Sequence, residues 1–252
     1  MIEILILSLV QGITEFLPIS SSSHLIIISE YLKFDNQKLE IDIGLHIGSF
    51  LAVIFFFKKD IYNFVNNKEF FFKILLSSIP IMFVGYLLIK LDLIDQIRSI
   101  KVIAWTTLIF GILLYISDKF SIKNNIKNKF NFKMVIVIGL FQVLSLIPGV
   151  SRSGIVITGA RFLQFKRYDA AKISFLLSIP TLGAVSLFGI NNLFTSESFK
   201  FSYLIIYSII FSFIFSIITI KYFLRYIKRF SLNIFVIYRI ILGTGLLILA
   251  YL

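Results

Sequence analysis

Six long apolar stretches, separated by short charged segments, constrain this chain more than any other feature of its sequence. At about 1.5 Å per residue, a helix of such length crosses a bilayer core of roughly 30 Å. Hydrophobic residues make up 58% of the 252 positions, against about 45–50% in soluble domains. We therefore predict an all-α polytopic membrane protein with one integral membrane domain over residues 1–252. The predicted transmembrane helices lie near 41–57, 73–90, 101–117, 170–190, 202–222 and 233–251.

Two further apolar stretches are broken midway by proline and a polar cluster, and we predict that each forms a re-entrant helical hairpin. The first covers residues 11–24 and breaks around Pro18. The second covers residues 142–154 and breaks around Pro148. Each arm is too short to cross a membrane alone. Non-helical backbone at membrane depth is tolerated only where it is buried in protein or lines a wet cavity.

The charged segments predict which ends of the helices face the cytoplasm. One group of segments carries a net charge of +13 and the other a net charge of −1, so the positive-inside rule places the first group in the cytoplasm. This requires the second hairpin to enter and leave from the cytoplasmic side. The net charge of +12 is attributed to these loops rather than to a nucleic-acid partner. The basic segments are 58–73, 118–133, 161–172 and 221–229; the others are 30–42, 90–101 and 191–201.

The two interrupted stretches resemble each other, which predicts an internal repeat. Aligned on their prolines, Ser21 matches Ser151 and Ser23 matches Ser153. Three predicted spans follow each stretch, so the second copy must lie upside down relative to the first. Repeat 1 covers about 1–117 and repeat 2 about 133–252. In such inverted repeats, broken helices meet near the membrane midplane and form the site.

An acidic side chain in the first stretch is the first candidate site residue. Glu15 lies in an apolar arm, where a carboxylate is costly unless it is paired, hydrated or bound to metal. Gln11, four residues earlier, shares its helix face. A metal ligand or proton acceptor is favoured over a surface glutamate in a shallow helix. Since the chain contains no cysteine, thiol nucleophiles, thiolate metal sites and disulfides are excluded.

Hydroxyl groups and a histidine follow the first break. Residues 20–23 are all serine, and they could cap the second arm or present a helix N-terminus to an anion. His24 lies three residues beyond Ser21, on the same helix face, where it could orient or activate that hydroxyl. Ser20 is a candidate substrate-binding residue.

An arginine after the second break is the strongest single signal. Arg152 lies between Ser151 and Ser153 in the turn after Pro148, and its planar fork matches phosphate geometry. The two serines and the backbone near Gly154 would add donors. Weaker candidates are Asp42 and His46, which share a face at the start of a span, and Arg239, which would snorkel or pair inside the last span.

At these residues the chain resembles the undecaprenyl-pyrophosphate phosphatase family of the bacitracin-resistance type. The matches are the segments 11–24 and 148–154, and segment 174–180 resembles the family's following span. The resemblance covers nearly the whole chain. It implies an inner-membrane enzyme that hydrolyses undecaprenyl (polyprenyl) diphosphate to the monophosphate and inorganic phosphate. This reaction would recycle the lipid carrier for cell-wall synthesis and confer bacitracin resistance.

The resemblance also implies roles for individual residues. It assigns Glu15 and Gln11 to the acidic motif that binds a divalent cation, usually Mg²⁺. Ser21 and His24 match the serine–histidine segment, and Arg152 matches the essential arginine. Gln11 stands where some members carry glutamate, so one carboxylate is missing. Whether Ser21 or a water molecule attacks the phosphorus stays open at this point.

Partners and sidedness complete the sequence-based expectations. The expected partners are the polyprenyl diphosphate substrate and membrane lipids, and the sequence leaves a homodimer open. The acidic segment 30–42 beside the first hairpin favours a site that opens to the periplasm. The rival class is an inverted-repeat transporter or carrier-lipid flippase without hydrolase activity.

Overall fold

The computed structural model describes residues 1–32, 39–91, 93, 98–126, 130–195 and 203–252. These residues form eleven α-helices and no β-strand, although an isolated bridge pairs Asn124 with Phe165. The helices are α1 Ile2–Thr14, α2 Ser21–Leu32, α3 Leu39–Phe56, α4 Lys58–Asn66, α5 Lys68–Lys90, α6 Ile100–Asp118, α7 Phe132–Val143, α8 Arg152–Phe162, α9 Arg167–Thr195, α10 Tyr203–Tyr226 and α11 Asn233–Tyr251.

Five of these helices are long and apolar enough to cross a membrane, which confirms an all-helical, multi-pass membrane protein. They are α5, α6, α9, α10 and α11. Five of the six predicted spans fall within these helices, apart from residue 202, which precedes α10. The sixth predicted span, 41–57, falls on α3, which is not among the five. Six spans therefore remain a prediction. The prediction of an acidic vestibule at 30–42 falls partly on residues 33–38, outside the described residues.

The first interrupted stretch folds as two short helices joined by a turn. Helix α1 ends at Thr14 and α2 begins at Ser21. Ile4, near the start of α1, belongs to one apolar cluster with Ile28, which lies late in α2. The two helices are therefore antiparallel arms of a hairpin.

The second interrupted stretch has the same form, with a short 3₁₀ turn at Leu144–Leu146 between α7 and α8. The chain segments before and after it lie side by side. The backbone N–H groups of Lys123 and Asn124 both donate to the Gln164 carbonyl, at 3.0 and 3.1 Å. The hairpin therefore begins and ends at the same end of the molecule, as its two basic flanks predict.

Polar side chains fix where several helices begin. Asn67, Ser99, Asn131 and Ser151 each accept a hydrogen bond from the backbone N–H three residues later, at 3.0 to 3.2 Å. Each side chain thereby satisfies a donor that the first helical turn leaves unpaired. The short polar stretches between apolar runs thus determine the helix boundaries.

One buried carboxylate joins four helix ends on the side that the charge pattern assigns to the cytoplasm. Asp118, at the end of α6, binds Arg167 at the start of α9 through Nε and Nη2, at 2.7 and 2.9 Å. It also lies 3.4 Å from Arg161 Nε near the end of α8, and accepts from Leu232 N before α11. These contacts close this end of the molecule around the second hairpin.

Candidate active site

The two hairpin turns share one backbone feature, a serine with a positive φ angle. Ser20 has φ 78° and Ser151 has φ 71°, in the left-handed region that L-residues rarely adopt. Each serine directly precedes a helix, so Ser21 and Arg152 are the first residues of α2 and α8. Such strain persists only where the surroundings impose it, and it is concentrated at functional sites.

Glu15, immediately after α1, links both hairpins. Its Oε1 accepts from Arg152 Nη2 at 2.7 Å, and its Oε2 accepts from Ser21 Oγ at the same distance. Gln11 Nε2 donates to Oε2 at 3.2 Å. The Glu15 side chain is only 7% exposed. The carboxylate is therefore held ionised by a guanidinium and oriented by two further donors.

Arg152 is held by two contacts. Its Nη1 donates to the Ser174 carbonyl of α9 at 3.1 Å, while Nη2 is bound to Glu15. Ser174 Oγ in turn approaches the Ser153 carbonyl at 3.4 Å. The Arg152 guanidinium also lines a cavity. If the contact with Glu15 loosens, its N–H groups can donate hydrogen bonds to an anion in that cavity.

The cavity between the hairpins has a volume of about 210 Å³. This is room for several water molecules, which is enough for a phosphate headgroup and too little for a long prenyl chain. Five predicted site residues line it: Glu15, Ser20, Ser21, Ser151 and Arg152. Sequence reasoning did not single out most of its other lining residues, which are Thr14, His46, Ile81, Ser145, Thr181, Leu182 and Val185.

The structure places both ring nitrogens of His24 away from Ser21, the residue that it was predicted to assist. Its Nδ1 bonds the Ser20 carbonyl at 2.6 Å, so that nitrogen carries the proton. Its Nε2 bonds Tyr238 Oη of α11, and the two rings are stacked at 5.7 Å. Both imidazole nitrogens are thus engaged away from Ser21, and His24 ties the first turn to α11. Glu15 takes the position beside the hydroxyl.

Two other predicted donors are used inside the turns. Ser153 Oγ donates to the Leu17 carbonyl at 2.7 Å and so binds one hairpin to the other. The Gly154 N–H donates to Ser151 Oγ at 3.1 Å, as a helix cap. Neither residue lines the cavity, so the geometry supports a structural role for both rather than the predicted contact with substrate.

Arg239, in the middle of α11, is fully buried and holds both turns in place. Its five N–H groups donate to five backbone carbonyls, at 2.9 to 3.4 Å. They belong to both hairpin turns and to α6: Pro18, Gly149, Val150, Thr106 and Thr107. Gly149 has φ 90°, and a Cβ there would meet Thr106. Sequence reasoning left Arg239 either to snorkel or to pair internally, and it did not predict this role.

Among the described residues, the donors at the cavity do not by themselves make up a complete Mg²⁺ site. The described residues contain no group of three or more His, Cys, Asp or Glu that could hold a metal ion. Glu15 is the one carboxylate among the described residues that line the cavity, and Gln11 directs its amide nitrogen at Glu15. Mg²⁺ prefers oxygen ligands, so Gln11 could serve as the predicted ligand only if its amide turned.

These features define an all-helical membrane protein with a polar cavity where two broken helices meet. The family model described as "Bacitracin resistance protein BacA" matches residues 4–245. The chain belongs to this family.

Curated relatives cover nearly the full chain. An undecaprenyl-diphosphatase of Pelagibacter ubique (strain HTCC1062) is 49% identical over 99% of this chain and 98% of the relative. Undecaprenyl-diphosphatases of Hahella chejuensis and Jannaschia sp. are 39% and 35% identical. The alignments cover 99% and 98% of this chain, and 98% and 97% of those relatives.

Proposed function

We propose that this protein hydrolyses undecaprenyl diphosphate to undecaprenyl phosphate and inorganic phosphate. The observation that carries the proposal is the convergence of Ser21, Glu15 and Arg152 on one phosphate-sized cavity. The names of the curated relatives support the same substrate. Through this reaction the protein recycles the lipid carrier for cell-wall synthesis and confers resistance to bacitracin.

Ser21 is the nucleophile in the first step. Its proton passes to Glu15 Oε2, which already accepts its hydrogen bond at 2.7 Å, and Oγ attacks the terminal phosphorus. The bond from that phosphorus to the bridging oxygen breaks, and undecaprenyl phosphate leaves with the electron pair. The proton on Glu15 then passes to solvent.

The second step releases phosphate and restores the enzyme. Water attacks the phosphoserine, and Glu15 takes its proton, since the carboxylate lies beside Oγ. The phosphorus–Oγ bond breaks, inorganic phosphate leaves and Ser21 recovers the proton from Glu15. Direct attack by water on the diphosphate, with Ser21 only binding phosphate, is the alternative.

Substrate binding changes the partner of Arg152. In the free protein its Nη2 is paired with Glu15, which makes this carboxylate a weaker proton acceptor. A diphosphate in the cavity competes for the guanidinium and neutralises it. Glu15 then becomes more basic just when Ser21 must lose its proton, and Arg152 offsets charge on the phosphoryl group.

A divalent cation enters with the substrate in this proposal. Mg²⁺ is commonly held by one or two carboxylates together with substrate phosphates. Glu15 offers one carboxylate at the cavity, so a bound diphosphate would have to supply most of the ligands of such a cation. We expect Mg²⁺ to bind weakly without substrate.

The fold forms an inverted repeat with six spans, with repeat 1 at about 1–117 and repeat 2 at about 133–252. Reciprocal helix pairing supports this architecture. The first arm α1 packs against α10 of the other repeat, and α7 packs against α5 in the same way. Likewise α3 packs against α9 and α6 against α11, each helix against its own counterpart.

The protein lies in the bacterial inner membrane with its site open to the periplasm. The first half of α9 is enclosed in protein, from Ala170 to Ser178. Its later residue Val185 lines the cavity, is half exposed and lies nearer Thr195 than Arg167. The ion pairs of Asp118 close the opposite, basic end. The prenyl tail leaves sideways between helices into the lipid.

Phosphate release from undecaprenyl diphosphate by the purified protein in detergent tests the function. We expect turnover with Mg²⁺ and a marked loss with EDTA. The matched control is Glu3→Gln, a carboxylate near the start of α1, outside the cavity lining, which should leave turnover unchanged. No phosphate release above an empty-membrane preparation would contradict hydrolysis and favour the transporter or flippase.

A further inference from the structure

His46 of α3 lines the cavity, and the hydrolytic steps above leave its imidazole without a role. Its Nδ1 lies 3.2 Å from Gln11 Nε2. Within the described part of the chain, His46 makes no second hydrogen bond. The ring thus has one nitrogen fixed by the protein and one left for a ligand.

The orientation of the Gln11 amide follows from its other neighbour. Glu15 is ionised by its pairing with Arg152, so its oxygens only accept hydrogen bonds. The Gln11 group that lies 3.2 Å from Glu15 Oε2 must therefore be the nitrogen. The amide adopts this orientation although its own oxygen is buried without a partner among the described residues. In the reverse orientation the Gln11 amide oxygen would face the Glu15 carboxylate, and neither group could donate a hydrogen bond.

The amide orientation in turn fixes the tautomer of His46. Gln11 Nε2 uses one proton for Glu15 and has one left for His46 Nδ1. That nitrogen must accept, so in the neutral ring the proton lies on Nε2. A ring in this state can donate a hydrogen bond from Nε2 and cannot take up a proton there.

We infer that His46 is a further substrate-contacting residue, which donates a hydrogen bond from Nε2 to the diphosphate, and that Gln11 is the positioning residue that holds it in the donating tautomer. The inference rests on the proposed function and deepens it. Arg152, the start of α2 and His46 would then surround the anion with donors from three elements. His46 acts as a donor and not as the base, a role that Glu15 holds.

The tautomer can be measured without any substrate. The chain has only two histidines, so ¹⁵N-imidazole NMR of the labelled protein gives two assignable rings, and His46→Gln identifies the signal that is lost. In alkaline buffer we expect His46 to carry its proton on Nε2. In Gln11→Glu the proton should move to Nδ1, because a carboxylate there only accepts. A wild-type ring protonated on Nδ1 would overturn the inference, whatever the activity.

The activity test compares two replacements of the ring. Leu at position 46 removes the donor, whereas Gln places an amide N–H near the position of Nε2. We expect His46→Leu to lower kcat/KM roughly ten- to a hundredfold, mostly through KM, as for loss of a hydrogen bond to a charged group. We expect His46→Gln to restore most of it. Phe55→Leu, on the same helix but exposed and outside the cavity lining, is the control.

The outcomes separate the two proposals. Wild-type turnover together with an unchanged KM in His46→Leu would overturn the role of His46 and leave hydrolysis standing. Equal losses in the Leu and Gln variants would also contradict it, since the donor would then not be what matters. Absence of phosphate release in the wild type would defeat the proposed function, while the NMR result would still report on the Gln11–His46 contact.

Discussion

Ser21 Oγ donates a hydrogen bond of 2.7 Å to Glu15 Oε2, although the two residues belong to opposite arms of the first hairpin. The strained backbone at Ser20 allows this contact, because it turns the chain immediately before Ser21. In the proposed mechanism, one hairpin therefore supplies both the nucleophile and its base. The second hairpin supplies the cation, Arg152, which binds the other oxygen of the same carboxylate.

Replacing Arg152 by lysine tests the phosphate clamp. Lysine keeps the charge but loses the planar fork that binds Glu15 and Ser174 in fixed directions. We expect kcat/KM for undecaprenyl diphosphate to fall about 10²- to 10³-fold, as for a lost transition-state donor, while the protein still inserts. Near-normal turnover of the purified variant would show that charge alone is enough and would exclude the bidentate role.

Glu15→Gln should remove the base without changing the shape of the side chain. We expect a loss of about 10²- to 10⁴-fold in kcat. The substitution also leaves Arg152 unpaired in a buried position, which is destabilising. The double variant Glu15→Gln/Arg152→Met removes both charges and serves as the control for folding. If either variant retained wild-type turnover, Glu15 would be structural.

Arg239→Lys tests whether the two turns must be held together for catalysis. Lysine can donate three hydrogen bonds in place of five, so at least two of the five backbone carbonyls lose this donor. We expect a lower unfolding temperature and a fall in kcat at temperatures where the variant is still folded, with a smaller change in KM. An unchanged kcat with a lower unfolding temperature would make Arg239 a stabilising residue without a positioning role.

A cysteine at Val185 tests the direction in which the cavity opens. Ser23 would be a poor reporter, because it is fully buried and bonded to Ser20. Val185 lines the cavity and is half exposed, and the chain has no cysteine of its own. We expect a membrane-impermeant thiol reagent to label Val185→Cys in intact spheroplasts, and Lys119→Cys, at the basic end, only after the membrane is breached. The reverse pattern would place the opening in the cytoplasm.

Local patterns in the sequence predict the helical architecture well. Prolines and serines inside apolar runs gave the breaks that separate α1 from α2 and α7 from α8. Matching the prolines, however, aligns Ser21 with Ser151. The positive φ angles instead match Ser20 with Ser151, so Ser21 corresponds to Arg152. This alignment is shifted by one residue from the one based on the prolines. Backbone conformation at a turn depends on tertiary contacts, which spacing from a proline does not contain.

The partners of individual side chains were harder to predict, because they come from distant parts of the chain. Helix periodicity placed His24 beside Ser21, but Tyr238, 214 residues later, takes its Nε2. His46 faces Gln11 across 35 residues. Arg239 lies inside an apolar run with no acidic residue near it in the sequence, and this signal could have marked it as a residue that supports the site. Its five carbonyl partners, however, exist only once both turns are folded.

The stereochemical course at phosphorus tests the central claim most directly. The terminal phosphoryl group of undecaprenyl diphosphate would be made chiral with sulfur and an oxygen isotope, and hydrolysed in water that carries a third isotope. Attack by Ser21 followed by water inverts the phosphorus twice, so we predict thiophosphate of retained configuration. Inverted thiophosphate would mean a single attack by water, and it would contradict the assignment of Ser21 as the nucleophile that Glu15 activates.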